Sequence, residues 1–278
     1  MKFDGKIVWI TGASSGIGEA LAKAFAAQGA HIILSGRRTD ALERVAADIK
    51  TDTLILPFET TDYDTLPAKV EEAHNWKGKI DILVNNAGIS QRSLALDTPP
   101  DIHKTIINID LLAPIWLTQL LLPHMIAAGG GHIVGISSVA GRVGVPLRTA
   151  YCAAKHGLIG YMDALRAETE QLHNVHVTNI LPGSIRTNVS RNALTKEGER
   201  RGKSDAAIDN GMEPDDCALQ ILEAVANNIP ELIIAEGMEL KIAELRQTGN
   251  ANRKIAAKRS RTMFCDDRRD GCTNRGKI

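Results

Sequence analysis

Short apolar runs rich in β-branched residues alternate along the chain with longer stretches whose apolar residues recur at helical spacing. The runs predict seven strands, at residues 6–11, 31–36, 53–58, 80–84, 131–137, 175–181 and 231–235. Between them the pattern predicts helices near residues 17–25, 63–75, 101–128, 149–172 and 214–227. This alternation predicts an α/β fold, a Rossmann-like, doubly wound parallel sheet of seven strands with helices on both faces. A ligand would then lie at the carboxyl ends of the strands.

A glycine-rich turn follows the first predicted strand and leads directly into a helix. Gly12, Gly16 and Gly18 leave out side chains where a backbone must approach a pyrophosphate, and the start of the helix offers N–H groups and a positive dipole end. A glycine-rich turn alone is usually only a turn, but the helix that follows it favours a dinucleotide site. The turn residues Ser14, Ser15 and Ile17 belong to the same predicted cofactor site.

The second predicted strand ends in Arg37 and Arg38 rather than in a carboxylate. A site selective for NAD uses an acidic residue here to bind the ribose 2′-hydroxyl. Two guanidiniums can instead hold a 2′-phosphate, so the pair predicts NADP, with Arg37 and Ser35 as its main contacts. The alternative is that both arginines are merely solvated at the start of a helix.

Candidate chemistry lies in the predicted helix 149–172 and in the strand before it. Tyr151 and Lys155 are four residues apart, so a helix places them on one face, one turn from each other. An adjacent cation favours the phenolate over the phenol, which suits a group that exchanges a proton with an alcohol or a ketone. Ser138, at the end of a predicted strand, can donate a hydrogen bond to a substrate oxygen. A Tyr and a Lys one turn apart also occur on many solvated helices.

Four motifs in order make the chain resemble the single-domain branch of the short-chain dehydrogenase/reductase family, over about residues 5–236. They are TGASSGIG at 11–18, NNAG at 85–88, the Ser138, Tyr151 and Lys155 set, and LPG at 181–183 followed by Thr187. The resemblance implies an NADP(H)-dependent oxidoreductase acting on CH–OH groups, with a small or lipophilic alcohol or carbonyl substrate. It implies that Ser138 polarises the substrate oxygen, that Tyr151 donates the proton, and that Lys155 binds the cofactor ribose.

The same resemblance implies further cofactor contacts and a substrate-covering loop. The contacts would come from Asn86, Ala87, Gly88, Tyr151, Lys155, Pro182, Gly183 and Thr187. The loop would be the polar segment 184–212, which shows no sustained period. A competing hypothesis is a redox sensor that binds a dinucleotide without turning it over. Short-chain folds of that kind typically lack the Tyr and Lys pair that this chain retains.

Asp110 is a departure from the family pattern, because relatives commonly have a catalytic asparagine at this position. In relatives the backbone carbonyl there holds a water that leads from the lysine to solvent, within a distorted helix. Pro114 has no N–H to bond the carbonyl of Asp110 and bends the helix, so the relay is expected to survive with either side chain. A carboxylate near Lys155 would add a favourable charge. The alternative is that Asp110 marks weakened or lost activity.

Length and composition favour one domain and a tail. The 278 residues, 44% of them hydrophobic, can bury a sizeable single core. We expect one NADP-binding catalytic domain over residues 1–236 and a C-terminal extension over 237–278. From residue 251 nine Lys or Arg residues stand against three Asp residues, a net charge of +6 with few large apolar residues. Such a composition is typical of a disordered segment.

Charge and residue usage also bear on partners and location. The formal net charge of zero predicts no nucleic-acid partner. No apolar leader opens the chain, and the apolar helix near 101–128 is interrupted by prolines and polar residues, so we expect no transmembrane segment. The four cysteines form no C-x-x-C pair and the eight histidines are scattered, which predicts no metal and a cytoplasmic setting. The resemblance implies a homodimer or homotetramer built from the two long helices.

Overall fold

A computed structural model describes residues 2–245 of the chain and shows one seven-stranded parallel sheet. The strands are β1 Ile7–Thr11, β2 His31–Ser35, β3 Thr53–Ile55, β4 Ile82–Asn85, β5 Gly131–Ile136, β6 Val175–Pro182 and β7 Glu231–Ile234. Their order across the sheet is β3-β2-β1-β4-β5-β6-β7, and each neighbouring pair is parallel. The order reverses direction between β1 and β4, which opens a crevice at the carboxyl ends of these strands. The predicted fold class is confirmed.

Helices cover both faces of the sheet. They are α1 Gly16–Ala27, α2 Thr39–Ala47, α3 Leu66–Lys77, α4 Pro100–Ile107, α5 Ala113–Ala127, α6 Thr149–His173, α7 Ala206–Asp209, α8 Pro214–Ala226 and α9 Gly237–Leu245. On one face α1, α2 and α8 bury apolar residues against the sheet, among them Phe25, Val45 and Ile221. On the other face α3, α5 and α6 do so, for example through Leu117 and Met162. Because both faces are covered, the strands are apolar along most of their length.

The predicted helical stretch 101–128 forms, but with a distortion in its middle. A π-helical segment, Asn108–Leu112, joins α4 to α5, and the N–H of Ala113 donates to the carbonyl of Asn108, five residues earlier. Pro114 has no N–H to continue the α-helical pattern, which is the physical reason for a break at this point. The distortion expected from Pro114 is confirmed.

Within the described residues, the stretch 100–127 is long and apolar enough to cross a membrane by length and composition alone. In this fold Leu117, Leu121 and Met125 of that stretch are buried in the core beside the sheet.

Packed structure continues past residue 236, where the sequence predicted the domain to end. In α9, Ile242 and Ala243 are buried against Val139 and Val143, just after β5. The predicted extension therefore begins with a helix that belongs to the packed fold. The basic segment 251–278, with Cys265 and Cys272, lies outside the described residues.

Candidate active site

The glycine turn after β1 is built so that no side chain fits into it. Gly12 and Gly16 adopt φ values of +66° and +59°, which only glycine reaches without strain. A Cβ atom on Gly12 would lie 2.9 Å from the Cα of Ala87, and one on Gly18 would clash with the carbonyl oxygen of Gly12. All three glycines are therefore required for the close approach of α1, the turn and the end of β4.

Hydrogen bonds tie this turn to the segment that follows β4. The Oγ1 atom of Thr11 accepts from the backbone N–H groups of Asn86, at 3.0 Å, and Ala87, at 3.1 Å. In return the side-chain Nδ2 of Asn86 donates to the carbonyls of Thr11, at 2.9 Å, and Gly12, at 3.2 Å. The predicted cofactor residues on β1 and β4 thus form one rigid edge of the crevice, with the N-terminus of α1 beside it.

The segment after β6 closes the other side of the turn. Pro182 is the last residue of β6, and its carbonyl accepts a hydrogen bond from the Ser138 hydroxyl at 3.2 Å. A Cβ atom on Gly16 would lie 3.0 Å from Cγ2 of Thr187, so the chain after Gly183 passes directly over the glycine turn. The residues predicted from the LPG motif are therefore brought to the same crevice.

Ser138 lies at the carboxyl end of β5, and α6, which carries Tyr151 and Lys155, is hydrogen-bonded to the same strand end through Ser137 and Ile136. Ser138 follows β5, and its Oγ accepts from the N–H of Ala140 at 3.1 Å, which fixes the hydroxyl in place. Tyr151 lies in the first turn of α6 and is partly buried. The Lys155 Nζ lies 5.7 Å from the centroid of the Tyr151 ring, one helical turn away. The predicted placement of the two side chains on one helix face is what the structure shows.

Lys155 is buried, and two groups neutralise or bind its ammonium. Nζ donates to the carbonyl of Ile136 at 3.0 Å and lies 3.3 Å from Oδ2 of Asp110, a contact ion pair without the alignment of a hydrogen bond. Burial by itself lowers the pKa of Lys155, but the charge of Asp110, together with Tyr151, outweighs it and the pKa is raised. Lys155 is therefore held as a cation at neutral pH.

Asp110 is completely enclosed, within the π-helical segment. Its Oδ1 accepts from the N–H of Ile89 at 2.8 Å. Burial raises the pKa of this carboxyl, and Lys155 and the Ile89 N–H offset only part of that effect. The contact of Oδ2 with the Lys155 ammonium, 3.3 Å away, favours the ionised carboxylate against the effect of burial. A Cβ atom on Gly88 would lie 3.3 Å from both Asp110 Oδ2 and Lys155 Nζ, so Gly88 leaves room for this contact.

The arginines predicted to select NADP occupy different surroundings. Arg37 Nη1 lies 3.4 Å from Oε2 of Glu59, and the Arg37 side chain is 61% exposed. Arg38 donates from Nη2 to the Ser14 hydroxyl in the glycine turn at 3.1 Å. Ser35 is buried, and its Oγ accepts from the indole N–H of Trp9 at 2.8 Å. The structure thus joins Arg38 to the turn and Arg37 to Glu59, but it does not bring Ser35 to the two guanidiniums.

Comparison with known proteins identifies the family. A family model described as short chain dehydrogenase matches residues 6–198. The chain belongs to the short-chain dehydrogenase family. These proteins are oxidoreductases that use a nicotinamide cofactor, and the cradle of Gly12, Gly16 and Gly18, which a single Cβ would obstruct, fits such a dinucleotide.

Two curated relatives and one solved structure illustrate the similarity of this short-chain dehydrogenase to known proteins. "Dehydrogenase/reductase SDR family protein 7-like" of Anopheles gambiae is 43% identical over 240 residues, which cover 84% of this chain and 75% of the relative. "Dehydrogenase/reductase SDR family member 7" of Homo sapiens is 38% identical over 248 residues, covering 87% of this chain and 73% of the relative. A metagenomic short-chain oxidoreductase solved in complex with NADP is 29% identical, with a TM-score of 0.70, and covers 84% of this chain and 98% of that one.

The structure adds a buried glutamine to the site of this short-chain dehydrogenase. Gln91 is fully buried, and its Oε1 accepts from the N–H of Ala150, in the first turn of α6 and next to Tyr151. Its amide Nε2 donates to the hydroxyls of Ser93, at 3.1 Å, and Thr98, at 2.9 Å. Gln91 therefore anchors the end of the helix that carries Tyr151. Its partner Ala150 is 59 residues away in sequence, so no local sequence pattern could have predicted this contact.

Proposed function

We propose that this protein is an NADP(H)-dependent oxidoreductase that interconverts an alcohol and a carbonyl compound. The observation that carries the proposal is that Ser138 and the helix with Tyr151 and the Lys155 cation are held at the end of β5, beside the crevice that the glycine turn opens. A dinucleotide cradle and a group able to exchange a proton are thus placed side by side, on elements fixed by the sheet.

The roles of the side chains follow from their positions. Bound NADPH would supply the hydride that reduces the carbonyl carbon. The Ser138 hydroxyl, held by the Ala140 N–H, can turn its own hydrogen from Pro182 to the substrate oxygen. Tyr151 gives that oxygen its proton. Lys155 would bind the cofactor ribose, and its ammonium lies 5.7 Å from the centroid of the Tyr151 ring.

Proton exchange with solvent is expected to run through the π-helical segment. Lys155 is 4% exposed, so it needs a path to water. Pro114 cannot donate to the carbonyl of Asp110, which leaves that oxygen available to a water beside the ion pair. Asp110 holds the lysine charged, and its backbone carbonyl supports the relay whether the side chain is Asp or Asn.

The choice between enzyme and redox sensor can be tested with cofactor and substrate together. The purified protein is incubated with NADPH and a panel of ketones and aldehydes, from small to lipophilic, and loss of NADPH absorbance is followed. We expect NADPH to be consumed with at least one carbonyl, because the Tyr151 and Lys155 pair is intact. Tight NADPH binding with no consumption for any member of the panel would favour the sensor.

Arg37 is proposed to select NADP by binding the 2′-phosphate, with Arg38 beside it at the glycine turn. Arg37 is exposed, and its one ion pair among residues 2–245 is with Glu59 at 3.4 Å, a contact that a phosphate dianion can replace. Arg37→Asp is expected to weaken NADPH binding by roughly tenfold to a hundredfold, the value of a charge-assisted hydrogen bond, and to change NADH binding much less.

The control for that substitution is Lys50→Asp, which makes the same change of charge at an exposed residue after α2. Dissociation constants for both cofactors, measured by fluorescence titration, give the comparison. Equal weakening of NADPH and NADH by Arg37→Asp, or an equal effect of Lys50→Asp, would remove the assignment of NADP.

Assembly and location are further proposals. The side chains of Leu112 and Trp116, at the start of α5, are 37% and 44% exposed, which supports a homodimer or homotetramer built from the long helices. The cytoplasmic location and a small or lipophilic substrate stay predictions of the sequence.

A further inference from the structure

Three arginines converge on one carboxylate beside the proposed active site. Arg92 follows β4, Arg148 immediately precedes α6, and Arg201 lies in the loop after β6. Their common partner is Asp205, in the same loop. Arg92 Nη2 lies 2.6 Å and Arg148 Nη2 3.2 Å from Asp205 Oδ2, and Arg201 Nη1 pairs with Oδ1. The buried hydroxyl of Ser190 accepts from the N–H of Asp205 at 3.1 Å and so joins the cluster.

This arginine cluster carries more positive charge than its single carboxylate balances. The side chains of Arg92, Arg148, Arg201 and Asp205 are 5%, 20%, 15% and 16% exposed. Three cations and one anion leave a net charge of +2, and no other carboxylate of the described residues lies within ion-pair distance of these guanidiniums. Holding excess charge away from water is unfavourable unless a counter-ion is supplied.

The positive excess persists at neutral pH. Burial lowers the pKa of Arg92 to about 10, with the neighbouring Arg148 as the next cause, and that value still leaves the guanidinium charged. Burial alone would raise the pKa of Asp205, but Arg201 and Arg92 outweigh it and hold that pKa well below its usual range, so the carboxylate is ionised.

The hydrogen-bond donors of the cluster are used very unevenly. The Arg92 guanidinium donates hydrogen bonds to the Asp205 carboxylate, to the hydroxyls of Ser90 and Ser190, and to the carbonyl of Gln91. Arg148 makes one hydrogen bond, from Nη2 to Asp205, and its Nε–H is buried without a partner among the described residues. A guanidinium offers five N–H donors in a planar fork, and a buried one that is unused is unfavourable. Arg148 is therefore the member of the cluster with donors to offer.

Arg148 is the member of the cluster nearest to Tyr151 in sequence. It precedes the first turn of α6 and lies three residues before Tyr151, within about one turn of helix. The other members come from the segments that flank the crevice, Arg92 beyond the NNAG motif and Arg201 and Asp205 in the loop after Thr187. An anionic group bound at Arg148 would thus belong to the same small molecule whose carbonyl meets Tyr151.

We propose that Arg148, supported by Arg201, forms an anion-binding subsite of the substrate crevice, and that the substrate is a carbonyl or alcohol compound bearing a carboxylate or another anionic group. This inference rests on the proposed oxidoreductase function. Asp205 serves as the internal counter-ion that keeps the arginines in place, and the substrate anion supplies the second negative charge that the cluster lacks. A planar carboxylate matches the planar fork of donors that the Arg148 guanidinium presents.

A matched pair of probes tests the subsite, 4-formylbenzoate and its methyl ester, which share the aldehyde and differ in the anion. Dissociation constants are measured by calorimetry in the presence of NADP, and NADPH oxidation is measured separately. The wild type is expected to bind the carboxylate about tenfold or more tightly than the ester. Arg148→Gln is expected to lose that preference, and Arg148→Lys to keep part of it.

Arg191→Gln is the control, because it removes a positive charge from an exposed position of the same loop, outside the cluster. It is expected to keep the full preference, and thermal unfolding checks that all variants are folded. Equal or undetectable affinity of the wild type for the two probes, or a preference that survives Arg148→Gln, would overturn the subsite. Tighter binding of the carboxylate without NADPH oxidation would support the subsite and count against the oxidoreductase function. Oxidation of NADPH with both probes, at equal affinity, would support the oxidoreductase function and count against the subsite.

Discussion

Replacing Tyr151 with phenylalanine is expected to abolish turnover while NADPH still binds. The substitution removes only the hydroxyl that donates the proton, and a positioned acid or base contributes about a hundredfold to ten-thousandfold to a rate. Tyr151 is partly buried in the first turn of α6, and the backbone there is anchored by Gln91, so the ring position should not change. Steady-state rates and NADPH binding of the variant are the measurements.

Tyr161→Phe is the matched control on the same helix. Burial raises the pKa of this tyrosine to about 12, and its ring packs against the core beside α6. Its hydroxyl has no proposed role, so the rate should stay within about twofold, far less than the contribution of an acid or a base. A Tyr151→Phe enzyme that retained most of its activity would mean that another group donates the proton.

Replacing Lys155 with methionine is expected to lower the free energy of unfolding by about 3–5 kcal/mol, the usual result of removing one partner of a buried ion pair. Asp110 is completely buried, and its carboxylate would keep only the Ile89 N–H as a partner. The double variant Lys155→Met, Asp110→Asn carries no buried charge at this place and should recover much of the loss. Urea unfolding of the three proteins gives the comparison.

The free energy of unfolding that Lys155→Met loses should depend on pH. Burial raises the pKa of Asp110, and the charge of Lys155 opposes that rise. In Lys155→Met this opposition is lost, so the pKa of Asp110 should rise further. An acid with a raised folded pKa binds its proton more strongly when folded, so its contribution to stability grows as pH falls towards the ordinary value near 4. The difference between wild type and Lys155→Met should therefore narrow at acid pH. A difference that did not vary with pH, or no recovery in the double variant, would contradict a charged Asp110.

Much of the fold follows from local pattern. Runs such as IVWIT in β1 and the apolar strand before Ser138 are buried on both sides, which gives them a continuous apolar sequence that is easy to recognise. The third strand was predicted to reach residue 58 but ends at Ile55. The N–H groups of Leu56 and Phe58 still donate to the carbonyls of Leu34 and Gly36, so the chain continues beside β2 to the predicted end although the regular strand stops earlier.

Three helices were not predicted: α2, α9 and α7, a single turn inside the segment predicted as a loop. The helix α2 spans nine residues and buries only Ala41, Leu42 and Val45, too short a stripe to stand out beside the arginines before it. The helix α9 lies where similarity to the family fades, and its packing through Ile242 depends on the partner residues Val139 and Val143, about a hundred positions earlier. Contacts of that range leave no periodic signal.

In the candidate site too, local features could be predicted from the sequence and long-range contacts could not. Glycine turns and the Tyr151 and Lys155 spacing are local features, so the sequence located them directly. Ser35 was expected to contact the cofactor phosphate together with Arg37. Its hydroxyl accepts from the indole N–H of Trp9 on the neighbouring strand, a contact that the sequence of β2 alone does not show. The arginine cluster was missed, because Arg92 and Asp205 are 113 residues apart and each alone resembles a solvated charge.

Hydride transfer itself is the claim to test most directly. The wild type is incubated with a carbonyl compound that it reduces and with NADPH carrying deuterium at the transferable position, and the alcohol is analysed by mass spectrometry. We expect one deuterium on the carbinol carbon of the product from the wild type and no labelled alcohol from Tyr151→Phe. NADPH that binds but leaves every carbonyl unlabelled and unreduced would contradict the account and identify the protein as a binder of dinucleotide alone.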